Sequence, residues 1–289
     1  MKQLKILIIG GTGTIGERIL ERWSHLHQLT IVNRDSHKKA RFSFLYPSVR
    51  FFLTDIGEID KFGSLFTGQD LVIHAAAIKH VSIGQSDVDE LIRVNVEGTQ
   101  KVASTFAKYG TGVGIFLSSD KAVQPTNAYG ASKMLGEAIA LRYGMRVLRY
   151  GNVVGSQGSF LPLWKEAIRQ GKPIIARDAT RFFLTIDQAV NLIQDCSLAE
   201  QDGLFIPKNL KGFRVLNVAR VIAGTEVKVE ELQPGEKKDE QMLSSSEVAV
   251  DQTELLSRVI PGQNTDLQKS NEVEQMTAYE VLDRVGWKL

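Results

Sequence analysis

The chain has 289 residues, of which 43% are hydrophobic and 24% are charged, and its formal net charge is +2. This composition is ordinary for a globular protein with a normal core, and the small charge does not indicate binding to nucleic acid or an anionic membrane. The single cysteine, Cys196, cannot form an intramolecular disulfide, and its apolar helical surroundings predict a core residue. The start of the chain does not fit a signal peptide, and no apolar run approaches the ~20 residues of a membrane span, so we expect a cytoplasmic protein.

The first predicted element is a parallel strand from Leu4 to Ile9, a continuous apolar run suited to burial on both faces. A glycine-rich loop follows it, and a helix is predicted from about Glu17 to Leu26. The loop satisfies the pattern G-x-G-x-x-G between a strand and a helix, where glycines allow close backbone approach and the helix N-terminus holds a pyrophosphate. The predicted dinucleotide-binding residues of this loop are Gly10, Thr12, Gly13, Thr14, Ile15 and Gly16.

The second strand, predicted from Leu29 to Val32, ends at residues that bear on which dinucleotide binds. An acid at this tip holds the ribose hydroxyls of NAD, whereas an arginine accommodates the extra phosphate of NADP. Asn33 and Arg34 stand at the tip and Lys38 lies nearby, so we prefer NADP, while Asp35 keeps NAD open. The alternative interpretation is that these are solvated loop charges.

Two further strands are predicted to line the same ligand. The strand from Val49 to Leu53 leads to Asp55 and Ile56, which stand where an adenine could be bracketed. The strand from Asp70 to His74 leads to the run Ala75-Ala76-Ala77, whose small side chains let a dinucleotide lie close to the backbone. Plain packing of helix on sheet is the alternative explanation of this run.

A long helix is predicted from about Asp87 to Tyr109, with Asn95 near its middle. Because asparagine is a poor residue for a helix interior, Asn95 is predicted to have a polar or backbone-bridging role beside the cofactor. The spacing of histidines, cysteine and acids does not match a metal-ligand pattern, so no metal is expected.

The chemistry is predicted at the end of the apolar strand Val113–Leu117, because open parallel sheets bind ligands at the carboxyl ends of their strands. On the helix that follows, Tyr129 and Lys133 are one turn apart and share a face. A nearby ammonium lowers the pKa of a phenol, so Lys133 is expected to help Tyr129 take a proton from a hydroxyl while a hydride leaves the same carbon. An ordinary surface pair is the alternative. The predicted catalytic residues are Ser119, Asp120, Lys121, Tyr129 and Lys133, and Tyr129 and Lys133 are also predicted to contact the cofactor.

The alternation of strands and helices predicts an α/β fold, with a Rossmann-type doubly wound parallel sheet and a smaller mixed α/β lobe for the substrate. We assign residues 1–152 to the NADP-binding Rossmann domain and residues 153–289 to the substrate-binding lobe, with 180–203 returning to the first domain. The stretch from Ser244 to Glu274 is polar and poorly periodic, so no element is predicted there.

With these features in place, the chain resembles an extended short-chain dehydrogenase/reductase, and more closely the inverting UDP-N-acetylglucosamine 4,6-dehydratases of bacterial polysaccharide and flagellin-glycan synthesis. The resemblance covers most of the chain to about Leu243, and the Asp120-Lys121 pair is its specific feature, since ordinary nucleotide-sugar epimerases lack it. The matching stretches are His74–Val81, Ser119–Val123 with Pro125-Thr126-Asn127, Arg149–Ser156, Thr180-Arg181-Phe182 and Pro234-Gly235-Glu236-Lys237.

The chain also departs from the pattern of that family. Ser119 replaces the usual threonine but keeps the hydroxyl, Gln233 replaces an arginine, and the segment before Thr180 is shorter than usual. After Val81, the stretch Ser86-Asp87-Val88-Asp89 replaces the usual Asn-Pro stretch. The first three changes touch the side that would hold the UDP phosphates, so the nucleotide or the sugar can differ from the family default.

The resemblance implies a mechanism and a substrate site. Tyr129, assisted by Lys133, deprotonates the hydroxyl at carbon 4 of the sugar while NADP takes the hydride. Lys121 then removes the proton at carbon 5, and Asp120 protonates the hydroxyl that leaves carbon 6. Ser119 hydrogen-bonds the sugar oxygen. The residues expected to contact the UDP-sugar are Lys79, His80, Asn152, Ser159, Arg181, Gln233 and Glu236.

Members of this superfamily usually pair, so a homo-oligomer is expected. Two alternatives stay open at this point. One is a UDP-sugar 4-epimerase or reductase that uses the same Tyr129 and Lys133 but releases no water. The other is a non-catalytic NADP-binding sensor, although such a protein does not need all of the predicted catalytic residues.

Overall fold

The computed structural model describes residues 2–79, 87–223 and 227–287. Strands and helices alternate through the first half of the chain, as the sequence predicts. The described strands are β1 (Lys5–Ile9), β2 (Gln28–Asn33), β3 (Arg50–Leu53), β4 (Leu71–His74), β5 (Val113–Ser119), β6 (Arg146–Tyr150), β7 (Asn152–Val153), β8 (Ile174–Arg177), β9 (Thr180–Leu184), β10 (Leu204–Pro207), β11 (Lys211–Arg214), β12 (Val227–Glu230), β13 (Glu247–Asp251) and β14 (Leu256–Pro261).

Helices cover both faces of the largest sheet, and other helices belong to a smaller lobe. The described α-helices are α1 (Thr14–Trp23), α2 (Ser36–Leu45), α3 (Val88–Ile92), α4 (Gly98–Tyr109), α5 (Ala128–Arg142), α6 (Phe160–Arg169), α7 (Ile186–Leu198), α8 (Val215–Ala223) and α9 (Ala278–Arg284). Short 3-10 helices occupy Ile56–Leu65 and Asp120–Ala122, and a π-helical turn, Arg93–Glu97, joins α3 to α4. Within the described ranges, none of the helices has the length and apolar character needed to cross a membrane.

A large sheet of nine strands, counted over the described residues, carries the fold in the order β13-β14-β10-β6-β5-β4-β1-β2-β3. β1 pairs in parallel with β2 on one side and with β4 on the other, so the strand order reverses at β1. In doubly wound sheets the ligand crevice opens at this reversal, outside the carboxyl ends of the strands. The predicted Rossmann-type sheet is therefore confirmed, and the glycine loop that follows β1 lies at its crevice.

Both faces of the large sheet are covered by apolar side chains. Along β1, Ile8 packs with Leu20 and Ile193 in the cluster on one face, whereas Ile9 packs with Phe106 in the cluster on the other. Each fully buried side chain of this size contributes about 1.5–3 kcal/mol relative to an exposed one. This packing fixes the carboxyl end of β1 and thereby the start of the glycine loop.

Strands from the C-terminal half of the chain extend the large sheet. β10 lies parallel to β6, while β14 pairs antiparallel with β10 and β13 pairs antiparallel with β14. β13 and β14 fall within the stretch from Ser244 to Glu274, for which the sequence predicts no element. The part assigned to a substrate lobe is thus not one continuous unit, because the chain returns to the large sheet at 204–207 and again at 247–261.

A second core forms the smaller lobe. Trp164 from α6, Phe183 from β9, Phe213 from β11 and Val281 from α9 pack together there, away from the large sheet. Two small sheets frame this core, in the orders β11-β9-β7 and β12-β8. Because β7 begins just after β6 ends, the lobe is attached at the carboxyl edge of the large sheet, above the predicted catalytic residues.

Candidate active site

The glycine loop between β1 and α1 closes against the alanine run that follows β4. Gly10 has a φ of +85°, and a Cβ at this residue would lie 2.5 Å from the backbone nitrogen of Ala76. A Cβ on Gly16 would lie 2.2 Å from the carbonyl oxygen of Gly11. At Gly13 the nearest atom to such a Cβ would be 3.7 Å away. The open side of the loop is therefore at Gly13, where the free amides at the start of α1 suit a phosphate.

Alanine substitutions at Gly16 and Gly13 should separate folding from cofactor binding. Gly16→Ala overpacks α1 against the loop and should destabilise the fold by about 1–3 kcal/mol. Gly13→Ala has room within the protein but places a methyl group in the phosphate cradle, so it should weaken dinucleotide binding about tenfold or more at an unchanged melting temperature. Thermal unfolding and calorimetric cofactor titration measure the two effects. A wild-type melting temperature for Gly16→Ala would contradict this description of the loop.

Asn33, at the tip of β2, is buried and has an unpartnered acceptor. Its Nδ2 donates to Thr12 Oγ1 over 3.1 Å, whereas its Oδ1 accepts no hydrogen bond from the described residues. Asp35 uses its side chain to cap α2, accepting from the backbone N–H of Lys38 over 3.0 Å. A free buried acceptor beside the glycine loop suits a ribose hydroxyl, so the residues present fit the predicted dinucleotide.

Arg34 lies within a cluster of charged groups that the sequence analysis missed. Its Nη1 donates to Glu90 Oε1 over 2.9 Å, and Arg93 Nη1 donates to Asp55 Oδ1 over 2.6 Å. Hydrogen bonds from Arg93 and Arg34 lower the pKa of Glu90 to about 2. The predicted adenine contact at Ile56 is not supported, because this side chain is 7% exposed and packs into the core.

Asn95 lies in the π-helical turn and joins two segments that border the cofactor site. Its Oδ1 accepts from the backbone N–H of Ile78 over 2.8 Å, and its Nδ2 donates to the Ile78 carbonyl and to Ser132 Oγ, each over 3.0 Å. Both amide hydrogens are thus used within the protein. The structure places Asn95 in the predicted backbone-bridging role, and it reaches the cofactor site through the segment after Ala75-Ala76-Ala77 rather than directly.

Tyr129 and Lys133 share a buried face of α5, but their electrostatics differ from the prediction. Lys133 Nζ donates to the Leu117 carbonyl over 2.6 Å and lies 4.1 Å from the ring centroid of Phe116. Burial lowers the pKa of Lys133 to about 7. Burial also raises the pKa of Tyr129, and the ammonium that opposes this rise belongs to Lys121. Lys133 is not among the groups that shift the Tyr129 pKa here, because its Nζ is hydrogen-bonded to β5, so its effect on the phenol stays a prediction.

Asp120, Lys121 and Glu240 form a buried cluster at the carboxyl end of β5, which we call the charge triad. Lys121 Nζ lies 3.1 Å from Asp120 Oδ1 and 3.2 Å from Glu240 Oε1, and it donates to Asn152 Oδ1 over 3.3 Å. Ser119 Oγ donates to Asp120 Oδ1 over 2.8 Å. The sequence predicted Asp120, Lys121 and Ser119, whereas it missed Glu240, which follows the turn at Pro234-Gly235 and carries no motif of its own.

The members of the charge triad shift one another's pKa values. Burial raises the pKa of Asp120, and Glu240 adds to this rise. Burial alone would lower the pKa of Lys121, but the two carboxylates outweigh it and raise that pKa. Burial likewise opposes ionisation of Glu240, yet Lys121 and Arg181 outweigh it and lower its pKa. Asp120 therefore holds its proton more readily than a free carboxyl, whereas the cluster favours the charged forms of Lys121 and Glu240.

The remaining predicted substrate residues differ in their hydrogen bonds and exposure. Arg181 Nη1 donates to the carbonyls of Thr180 and Lys237 over 2.7 and 3.1 Å, so it holds backbone where a phosphate contact was predicted. Ser159 Oγ is buried and has no hydrogen-bond partner among the described residues. Lys79 is exposed, and His80 lies outside the described residues.

The turn that holds Gln233 and Glu236 docks on the start of α5. The Gly235 carbonyl accepts from Thr126 Oγ1 and from Asn127 Nδ2, each over 2.8 Å. Gln233 is exposed, and its backbone N–H donates to Glu236 Oε2 over 2.9 Å. This turn is therefore held against the start of α5, the helix that carries Tyr129. In the described part of the chain, no group of three or more His, Cys, Asp or Glu side chains is placed to hold a metal ion.

Comparisons with known proteins agree with this fold and site. A family model described as polysaccharide biosynthesis protein matches residues 6–260. The inverting UDP-N-acetylglucosamine 4,6-dehydratase of Campylobacter jejuni strain 81-176 is 33% identical, covering 84% of this chain and 78% of that protein. A protein named UDP-glucose 4-epimerase from Rickettsia canadensis is 32% identical, covering 84% of this chain and 79% of that protein.

Solved structures also match over nearly the whole chain. The X-ray structure of Pen from Bacillus thuringiensis has a TM-score of 0.87 and 26% identity, covering 98% of this chain and 97% of that one. DesIV, a dTDP-glucose 4,6-dehydratase from Streptomyces venezuelae solved with NAD bound, has a TM-score of 0.76 and 16% identity, covering 98% and 96% of the two chains. This second likeness shows the fold alone.

The fold and the site together define an extended short-chain dehydrogenase/reductase. The features of that class, here the glycine loop, Asn95 and the helix with Tyr129 and Lys133, are all present in this chain. Within it, the family match and the relatives show that the chain belongs to the polysaccharide biosynthesis protein family. The cradle around Gly13 and Asn33 and the nature of the relatives support an enzyme that acts on nucleotide sugars with a nicotinamide dinucleotide cofactor.

Proposed function

We propose that this chain is a nucleotide-sugar 4,6-dehydratase whose substrate is UDP-N-acetylglucosamine and which inverts carbon 5. The observation that carries the proposal is the pair of buried Asp120 and half-buried Lys121, 3.1 Å apart, at the strand end that precedes the Tyr129 helix. An enzyme that only oxidises and reduces a hydroxyl needs Tyr129 and Lys133. Elimination of water needs a further acid and base, and this pair supplies them.

The first role belongs to Tyr129, which takes the proton of the carbon 4 hydroxyl. A dinucleotide held in the glycine-loop cradle would supply the hydride acceptor for carbon 4 and the hydride donor for carbon 6. The cationic Lys121 favours the phenolate of Tyr129, against the opposing effect of burial. Lys133 supports this step by fixing α5 to the end of β5 through the Leu117 carbonyl.

The second role belongs to the charge triad. Once carbon 4 is a ketone, the proton on carbon 5 is acidic. Burial raises the pKa of Asp120, and in this proposal Asp120 is the acid that protonates the hydroxyl that leaves carbon 6. Lys121 is placed beside it to remove the carbon 5 proton. Lys121 must first lose its own proton to do so, since the neighbouring carboxylates favour its ammonium form.

For the substrate, we propose that the UDP-sugar lies between the glycine loop and the turn at Gln233. In this proposal Asn152 from β7 and Ser159 from the segment before α6 contact it, together with Lys79 from the segment after β4, and His80, outside the described residues, stays a predicted contact. The buried and unpartnered Ser159 hydroxyl supports a polar contact there. Arg181 acts indirectly in this proposal, since it holds the segment that carries Glu240.

We propose NADP as the preferred cofactor, because Arg34 is exposed at the tip of β2 with Lys38 nearby. The extra phosphate of NADP would compete with Glu90 for the Arg34 guanidinium. Arg34→Ala should therefore weaken NADP binding about tenfold and leave NAD binding nearly unchanged. Fluorescence titration with each cofactor measures the two dissociation constants, and Arg41→Ala, at an exposed site outside this cluster, is the control. An equal loss for both cofactors would contradict NADP preference.

The proposed activity can be tested without added cofactor. Purified protein incubated with UDP-N-acetylglucosamine in heavy water should give a product that has lost one water and gained solvent deuterium, as read by mass spectrometry. This result requires a dinucleotide that stays bound and is regenerated in each turnover. An unchanged sugar spectrum, repeated with other UDP- and dTDP-sugars, would contradict the proposal.

A second candidate is a UDP-sugar 4-epimerase, which the relatives of that name favour. Such an enzyme would use Tyr129 and Lys133 and release no water.

The proposal also includes a homo-oligomer, since α5 exposes apolar side chains at Met134, Leu135 and Leu141. Light scattering of the purified protein measures its mass, and a monomer at all concentrations would contradict this part.

A further inference from the structure

Glu240 belongs to the charge triad, but none of the proposed dehydratase steps assigns it a role. It is 2% exposed, and its Oε1 lies 3.2 Å from Lys121 Nζ. Its Oε2 is buried and has no hydrogen-bond partner among the described residues, and Lys237 Nζ lies 3.8 Å from it. A buried carboxylate is costly unless charges or hydrogen bonds balance it. Glu240 is therefore balanced mainly by Lys121, and one of its oxygens is free to take a proton.

The backbone around Glu240 is fixed from both sides. Its N–H donates to Ser270 Oγ over 3.0 Å, and its carbonyl accepts from the Ser270 N–H over 2.8 Å. Thr180 Oγ1 donates to Asp239 Oδ1 over 2.6 Å, and the Thr180 N–H donates to the Lys238 carbonyl over 2.9 Å. The carboxylate is thus held toward Lys121 by elements of the smaller lobe and does not depend on a flexible turn.

We propose that Glu240 is a positioning residue that holds the Lys121 ammonium in the site and takes the proton that Lys121 must lose before it acts as a base. This inference rests on the proposed dehydratase function. It adds to that function a residue outside the Asp120-Lys121 motif and assigns it a defined step.

The proton balance of this step closes within the charge triad. Before the reaction, Asp120 is neutral, Lys121 is an ammonium and Glu240 is a carboxylate, so the net charge is zero. Lys121 gives a proton to Glu240 and then takes the carbon 5 proton, while Asp120 gives its proton to the leaving hydroxyl to form water. Afterwards Asp120 is a carboxylate, Lys121 is again an ammonium and Glu240 is a neutral acid. The net charge is again zero, which a buried site requires.

Other charged groups face this cluster from every packed element. Tyr129 from α5 and Arg181 from β9 both act on Lys121, and Lys237 acts on Glu240 from the turn. None of these groups can replace Glu240, because two of them are cations and Tyr129 serves the carbon 4 hydroxyl. Removing the negative charge of Glu240 therefore takes from the Lys121 ammonium the carboxylate that balances it, since Asp120 is neutral in the proposed starting state.

The first test does not require turnover. Glu240→Gln keeps the shape of the side chain and removes its charge, and Glu231→Gln, at an exposed residue of the same segment, is the control. Competitive acetylation of Lys121, followed by peptide mass spectrometry across a pH series, should show its midpoint at lower pH by about 1–3 units in Glu240→Gln only. An unchanged midpoint in a folded Glu240→Gln protein would overturn the proposal.

The second test uses substrate. With UDP-N-acetylglucosamine, Glu240→Gln should still form reduced nicotinamide but lose water at least about 100-fold more slowly than the unsubstituted enzyme. Glu240→Asp, which restores a carboxylate, should recover part of the rate even if Glu240→Gln is less stable. Loss of nicotinamide reduction in parallel with water loss would overturn the assigned step. If the unsubstituted enzyme does not release water, the dehydratase proposal fails, and the acetylation midpoint alone then decides whether Glu240 controls Lys121.

Discussion

Replacing Lys121 with methionine should abolish the loss of water from the substrate while dinucleotide binding and nicotinamide reduction persist. Methionine is similar in length but has no proton to exchange, so carbon 5 loses its base. General acid–base steps of this kind contribute about 10²–10⁴-fold to rate, and we expect a loss of that size in kcat. Reduced nicotinamide should accumulate, because Tyr129 still takes the carbon 4 proton. Absorbance of the reduced cofactor and mass spectrometry of the sugar give the two readouts.

A second substitution, Lys121→Arg, distinguishes loss of the base from damage to the fold in Lys121→Met. Methionine leaves Asp120 and Glu240 buried without their shared cation, and breaking a buried ion pair in this way costs about 3–5 kcal/mol. Lys121→Arg keeps a cation between the carboxylates, yet a guanidinium does not deprotonate in proteins. Both variants should therefore fail to release water, whereas Lys238→Met, at an exposed residue, should behave as the unsubstituted enzyme. Normal water loss by folded Lys121→Arg would contradict the assignment.

Replacing Tyr129 with phenylalanine should stop the reaction one step earlier. The ring fills the same buried space, so folding should change little, but the hydroxyl that takes the carbon 4 proton is gone. We expect kcat to fall about 10²–10⁴-fold and no reduced nicotinamide to appear on addition of substrate. The measurement is the same absorbance assay, with Tyr143→Phe at the end of α5 as the matched control.

The contrast between the two variants is more informative than either loss alone. Tyr129→Phe should leave the cofactor oxidised, whereas Lys121→Met should leave it reduced. If both variants left it oxidised, Lys121 would belong to the oxidation step, and the division of labour between α5 and the charge triad would be wrong. Cofactor affinity should be unchanged in both, since neither side chain contributes to the cradle at Gly13 and Asn33.

The large sheet was predictable because its signals are local. Runs such as Leu4 to Ile9 are apolar throughout, and the glycine loop has the spacing that a strand-to-helix turn needs. β13 and β14 were not predicted because they lie at the edge of the sheet, where Glu247–Asp251 buries few side chains and does not alternate strongly. Their pairing depends on β10, which is distant in sequence, so the short pattern alone does not identify them.

The site was predictable where function lies in adjacent residues and not where it depends on packing. Ser119, Asp120 and Lys121 are consecutive, so one strand end indicates all of them. Glu240 reaches Lys121 across more than a hundred residues, and only the backbone contacts to Ser270 and Thr180 place it there. Glu240 lies in the charged segment before Met242 and Leu243, and such a segment is equally typical of a solvated turn.

The electrostatic environment of Tyr129 and Lys133 was the other property that the sequence did not predict. Helical spacing correctly placed Tyr129 and Lys133 on one face, and the model-peptide pKa of lysine then led to the expectation that Lys133 is a cation acting on the phenol. Burial lowers the pKa of Lys133 to about 7, while Lys121, four residues beyond Leu117, supplies the nearby cation. Burial of this kind follows from tertiary packing on Phe116 and was not readable from the spacing.

The most direct test of the account follows one hydrogen atom. UDP-N-acetylglucosamine that carries deuterium on carbon 4 should give a product that has lost water and holds that deuterium on carbon 6, as located by NMR. This outcome requires oxidation at carbon 4, elimination across carbons 5 and 6, and return of the same hydrogen, all in one site. Deuterium that returns to carbon 4, with no water lost, would contradict the dehydratase and identify an epimerase.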